Sequence, residues 1–162
     1  LGAVVIGTVG SDEKVKIARD AGCEHVIVYS RENFAEKVRE ITGGAGVAVV
    51  YDGVGKSTFQ GSLDSLAMLG MLVSYGNASG PVPPFEPAIL SQKGSLFFTR
   101  PTLMHYTAKA EDLQASAREL FDVVGSGAVR IKVSQTYPLS EAAQAHRDLE
   151  ARKTTGSTVL LP

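Results

Sequence analysis

The chain reads as an α/β protein built on a doubly wound, mostly parallel sheet, and three observations point to that class. Short apolar runs alternate with amphipathic helical patterns along the 162 residues. Several runs are continuously apolar, as strands covered on both faces are. The connections are short, which favours right-handed β-α-β units.

The elements follow in order. VVIGTV (4–9) reads as a strand that runs through Gly10 and Ser11 into a helical pattern, with Ser11 placed as an N-cap and Gly22 after the last turn. HVIVY (25–29) is the next strand, and Phe34, Val38 and Ile41 share one face of the helix that ends at Gly43. VAVVY (47–51) is followed by a helix carrying Phe59, Leu63 and Leu66 on one face. MLVSY (71–75) leads into GPVPPFEP (80–87), too proline-rich for a helix or a central strand. SLFFT (95–99) precedes the longest helical stretch, 108–124, which spaces Leu113, Ala117, Leu120, Phe121 and Val124 along one face. Gly125–Ser126–Gly127 closes it, Ser140 stands as an N-cap, and STVLL (157–161) is the last strand. The expected division is residues 1–127 and a strand-helix-strand segment, 128–162.

Composition excludes several classes. A net charge of −1 and a pI near 6.3 do not suggest a general nucleic-acid or membrane surface. No apolar run reaches the roughly 18 residues of a membrane span. The single cysteine, Cys23, rules out an internal disulfide and fits a reducing cytosol. Leu1–Gly2–Ala3 reads as the end of a helix and its glycine cap, so at least one strand and one helix are expected upstream.

Candidate sites cluster where strands end, the edge at which open α/β sheets take ligands. At the first, Gly10 and Ser11 close the strand and Lys14 falls in the first helical turn. A turn glycine, a cap and a surface lysine account for it equally well. Against that, a cation there opposes the macrodipole, and a bound anion reverses the sign. In dinucleotide folds a carboxylate at the end of the second strand holds the ribose of NAD; here that end is Gly10–Ser11, and small neutral residues beside a lysine suit the 2′-phosphate of NADP better. VVYDGVGKST (49–58) imitates a phosphate-binding loop, but its first glycine would have to stand at Val50, inside the strand. A turn through Gly53 that lets backbone approach a flat ligand is the better account, beside that of a plain turn. At SYGNASG (74–80), Gly76 permits close approach and the Asn77 amide can bond a ribose or carboxamide. Thr99 and Arg100 end the next strand, while Phe97 and Phe98 also suit core or edge packing. The histidines lack metal-ligand spacing, no carboxylate pair suits acid–base work, and no catalytic residue is assigned.

Taken together, LGAVVIGTVGSDEK, VVYDGVG, SYGNASG, SLFFTRP and YPLSEAAQAHRDLEARKTTGSTVLLP resemble the zeta-crystallin-like NADPH:quinone oxidoreductases of the medium-chain dehydrogenase/reductase superfamily. The resemblance spans nearly the whole chain. It implies a Rossmann-like domain that lacks its first strand and glycine-rich loop, in a sheet of order 3-2-1-4-5-6. It implies NADP as cofactor, with Gly10, Ser11, Lys14 and Tyr29 around the 2′-phosphate. Gly53, Tyr75, Gly76 and Asn77 would line the cofactor, Phe98, Thr99 and Arg100 would lie by the nicotinamide, and Arg152 would reach back toward the phosphates. Gly53 and Ala78 stand where the family pattern leads one to expect serines. The implied reaction is zinc-independent hydride transfer to a quinone by the parent enzyme, the chain alone being inactive. The resemblance further implies a cytoplasmic homodimer paired through edge strand 95–99. The alternative is a noncatalytic relative that binds a nucleotide or RNA. The lack of a basic, aromatic stripe argues against nucleic acid.

Overall fold

Strand pairing in the computed structural model, which describes residues 2–151 and 153–162, is parallel throughout. The chain divides into two units, Leu1–Thr102 and Leu103–Pro162. In the first, β1 (Ile6–Val9) pairs with β2 (His25–Val28) across α1 (Glu13–Asp20). After α2 (Phe34–Ile41) comes a second sheet of order β3-β4-β5, formed by Val47–Asp52, Leu66–Ser74 and Phe97–Thr99. The links in this sheet carry α3 (Phe59–Asp64) and α4 (Ala88–Gln92). The parallel α/β class is as expected, and so is the break in the sheet. Strands β1 and β3 are not paired, and a cleft of about 880 Å³ lies between them, lined by Ile6, Thr8, Val47 and Val49 among others.

Local chemistry accounts for the elements that frame the site. Asn33 caps α2, its Oδ1 accepting from the Ala35 and Glu36 amides at 3.1 and 3.4 Å while its Nδ2 donates to Glu36 Oε1 at 2.8 Å. Such a cap is worth about 1 kcal/mol. From the same helix, Arg39 donates to the carbonyls of Gly44, Asp64 and Leu66 at 2.9, 3.0 and 2.7 Å, fastening α2 to the turn between α3 and β4.

Register decides which apolar residues go inside. Leu72 of β4 is fully buried and pairs with Phe98, whereas Met71 and its partner Phe97 stay exposed. Successive strand residues face opposite sides, so Phe98 must join the core. There it packs with Phe59 and Phe85, the three ring centroids lying 4.9, 5.4 and 6.0 Å apart. Leu63, Leu66 and Leu96 complete the buried cluster. Each fully buried leucine contributes roughly 1.5–3 kcal/mol.

Four local expectations need correction. Ser11 is not the cap of α1: Asp12 holds that position without a side-chain bond to the helix amides, and Ser11 offers its carbonyl to the Lys14 amide at 3.1 Å. Ser140 lies within a 3-10 turn, Leu139–Glu141, because Pro138 lets the chain tighten before the helix proper begins. Strand β3 is not covered on both faces, since Tyr51 is 73% exposed. Leu66, placed on the helical face, begins β4.

The second unit holds α5 (Leu103–Tyr106), α6 (Ala110–Gly125), β6 (Val133–Pro138), α7 (Ala142–Glu150) and β7 (Ser157–Leu161). β6 and β7 pair in parallel around α7, and the Tyr137 hydroxyl ties β6 to that helix by donating to Asp148 at 3.0 Å. These two strands and their helix fall within residues 128–162. No described helix is long and apolar enough to cross a membrane.

Candidate functional site

The strand ends of the first unit carry most of the residues singled out by sequence. After β1, the chain turns through Gly10 against the ring of Tyr29, and a Cβ at Gly10 would lie 3.1 Å from the tyrosine oxygen. The Tyr29 amide donates to the Val9 carbonyl at 3.0 Å, so Gly10 and Tyr29 are brought together as expected. Arg31 binds both oxygens of Asp12 at 2.8 Å and neutralises that carboxylate. Lys14 is half-buried and takes part in none of the ion pairs among the described residues. The turn thus presents a cation at a helix N-terminus, where the macrodipole also favours an anion.

The ends of β3 and β4 interlock. The Asp52 carbonyl accepts the Tyr75 and Gly76 amides at 2.9 and 3.3 Å, and the Gly53 carbonyl accepts that of Ala78 at 3.2 Å. Ser79 Oγ donates to the Val54 carbonyl at 2.8 Å and accepts the Ser57 amide at 3.0 Å. Glycine is required at 76 and 55. A Cβ on Gly76 would lie 2.3 Å from the Gly53 carbonyl oxygen, and one on Gly55, whose φ is +88°, would lie 2.5 Å from that of Gly80. A Cβ on Gly53 would meet the Tyr75 hydroxyl at 2.9 Å.

Beneath this edge sits a buried carboxylate. Asp52 is 6% exposed. Its Oδ1 accepts from the Val54 and Gly55 amides at 2.8 and 3.0 Å, its Oδ2 accepts from Ser62 Oγ at 2.8 Å, and Thr58 Oγ1 bridges both at 2.9 and 2.8 Å. Burial by itself pushes its pKa up, but hydrogen bonds from Gly55, Ser62, Thr58 and Val54 outweigh that, and the net shift is downward. Sequence reasoning noticed Asp52 only as a turn residue. Thr58 and Ser62, four apart on one helical face, were the signal that a strand-end acid could be held there.

At the end of β5, Arg100 Nη1 donates to the carbonyls of Ser74 and Gly76 at 2.9 and 3.3 Å, so the guanidinium braces the glycine edge. Thr99 pairs with Val73 on the same sheet. Phe98 belongs to the aromatic core, and the exposed Asn77 joins the edge through its carbonyl, which accepts the Gly80 amide at 2.9 Å. Arg152 lies outside the described residues. Gly53, Asp52, Tyr75 and Thr8 all border the cleft, whose volume falls in the usual range for small-ligand sites. No group of three or more His, Cys, Asp or Glu among the described residues is placed to hold a metal ion.

The chain is similar to known proteins along its whole length. The chain is 55% identical over 162 residues to a quinone oxidoreductase of Pseudomonas aeruginosa, covering 100% of the chain and 50% of that protein. A 2-haloacrylate reductase of a Burkholderia species is 51% identical over 163 residues, with 100% and 49% covered. The solved structure of Escherichia coli quinone oxidoreductase complexed with NADPH matches with a TM-score of 0.96 at 47% identity, covering 100% of this chain and 50% of that one. A mycobacterial protein complexed with NADPH matches with a TM-score of 0.95 at 52% identity, covering 100% and 51%. The chain spans about half the length of the relatives it matches. The resemblance carried by VVYDGVG, SYGNASG and SLFFTRP is borne out. Residues 21–160 match the family described as zinc-binding dehydrogenase, and the chain belongs to that family.

Proposed function

We propose that this chain is the cofactor-binding portion of an NADPH-dependent quinone oxidoreductase. The observation that carries the reading is the backbone contact between Gly53 and Gly76, which leaves a strand-end edge with no room for a side chain at Gly76. A ribose or a nicotinamide ring can lie on such an edge at main-chain distance. Two relatives with this fold, at 47% and 52% identity, were solved with NADPH.

In this reading Lys14 and the Gly10–Ser11 backbone receive the 2′-phosphate, with Tyr29 packed behind the turn. Gly53, Tyr75, Gly76 and Asn77 line the cofactor. Thr99 and Arg100 hold the sheet edge near the nicotinamide, Phe98 supports it from the core, and Arg152 reaches toward the phosphates. NADPH supplies a hydride to a quinone-class acceptor, and zinc takes no part. The parent enzyme places residues 1–127 in the cofactor domain and returns 128–162 to the catalytic domain, works in the cytoplasm, and dimerises through 95–99. The free outer edge of β5 and the exposed Phe97 support that pairing. The chain alone turns over little, because the acceptor site is built outside it.

Titration of the isotope-labelled chain with NADPH tests the reading by NMR. Amide shifts are expected at Gly10, Gly53 and Gly76. Saturable shifts confined to other strand ends, or none at all, would remove it.

A further inference from the structure

We propose that Asp52 is the positioning residue of the cofactor edge, setting the height of the Gly53–Gly55 turn without touching the ligand itself. The inference rests on the nucleotide reading given above and assigns within it a role to a buried group that otherwise has none.

Three features separate this carboxylate from an ordinary strand-end acid. It is buried and fully hydrogen-bonded, and its donors come from two different elements. Oδ1 takes the consecutive amides of Val54 and Gly55 and so dictates the path of the turn. Oδ2 takes Ser62 from α3, while Thr58 spans both oxygens, so the turn is referenced to a helix that is itself packed through Phe59 and Leu63 into the core. The same residue reaches the neighbouring strand end, its carbonyl receiving the Tyr75 and Gly76 amides. The carboxylate thus fixes the turn after β3, and the main chain of the same residue joins that turn to the end of β4. With no freedom left in the turn, binding need not order it first.

Asp52→Ala strips the acceptor from two amides and two hydroxyls. Asp52→Asn keeps an oxygen for the amides, and its NH2 can donate to the hydroxyls. Calorimetry on the chain is expected to show NADPH and NADH weakened together in Asp52→Ala, by about ten- to a hundredfold for two or more lost hydrogen bonds. Asp52→Asn should restore affinity to within about fivefold of wild type. The NADPH-to-NADH affinity ratio should not move in either variant, because the turn at Gly10 is untouched. Amide exchange should accelerate at Val54 and Gly55 in Asp52→Ala while the β3–β4 ladder stays protected.

Wild-type affinity in folded Asp52→Ala overturns the proposal, as does a changed cofactor ratio. Where Asp52→Ala does not fold, the double variant Thr58→Val/Ser62→Ala removes the helix anchor instead. About fivefold weaker binding and faster Val54 and Gly55 exchange are then expected, and no change in either overturns the proposal. A wild-type chain that binds neither nucleotide removes the nucleotide reading and this role with it; binding that ignores Asp52 removes only the role.

Discussion

The carbonyl oxygen of Gly53 occupies the space that a side chain on Gly76 would need, 2.3 Å from the position of its Cβ. Two strand ends thus meet backbone to backbone. The contact is both a packing requirement and the most distinctive feature of the edge.

Gly76→Ala follows directly. The obstructing atom is main chain, held through the Ala78 amide, and cannot swing aside. Overpacking of this kind costs about 1–3 kcal/mol. A lowered melting temperature and loss of NADPH binding are expected. Gly53→Ser is milder, since its obstacle is the end of the exposed Tyr75 side chain, which can rotate away. Thermal scans of the two variants should rank them in that order.

Lys14→Ala should separate the two nicotinamide cofactors. A charge-assisted bond to phosphate is worth roughly 1.5–3 kcal/mol, or about ten- to a hundredfold in affinity. NADPH binding is expected to fall by that factor while NADH binding stays unchanged, as measured by calorimetry.

Acid stability should depend on Asp52. Its pKa is lower in the fold than in the unfolded chain, where a carboxylate titrates near 3.9, so the unfolded state takes up the proton first as pH falls. The stabilisation is complete above about pH 5 and drains away as pH drops through the folded pKa. The melting-temperature gap between wild type and Asp52→Asn should be constant at neutral pH and narrow below about pH 4. A gap that widens in acid would contradict the downward shift.

The core of the first unit should be sensitive at Leu63, which is 1% exposed and anchors α3 under the site. Leu63→Ala is expected to cost about 2–5 kcal/mol by denaturant titration, enough to loosen the Asp52 anchor as well.

What could be read from sequence follows the range of the interactions concerned. Continuous apolar runs marked the parallel strands, and STVLL (157–161) coincides with β7. Helices α4 and α5, with five and four residues, are too short for periodicity to register. Sequence left Phe97 and Phe98 both suited to core or edge packing, and the pairing of Phe98 with buried Leu72 shows which one turns inward. Gly10, Gly53 and Gly76 were legible because close approach needs glycine. The Asp52 anchor was not, since its partners Thr58 and Ser62 reach it only once α3 packs back against β3. Ser11 misled because a strand-to-helix serine is so often a cap, whereas here the following Asp12 takes the position.

The central claim is that this edge binds a dinucleotide and reads its 2′-phosphate. Parallel calorimetric titrations of the wild-type chain with NADPH and NADH test it most directly. The account predicts NADPH binding at least about tenfold tighter, the value of one charge-assisted phosphate contact. Equal or tighter binding of NADH would contradict it.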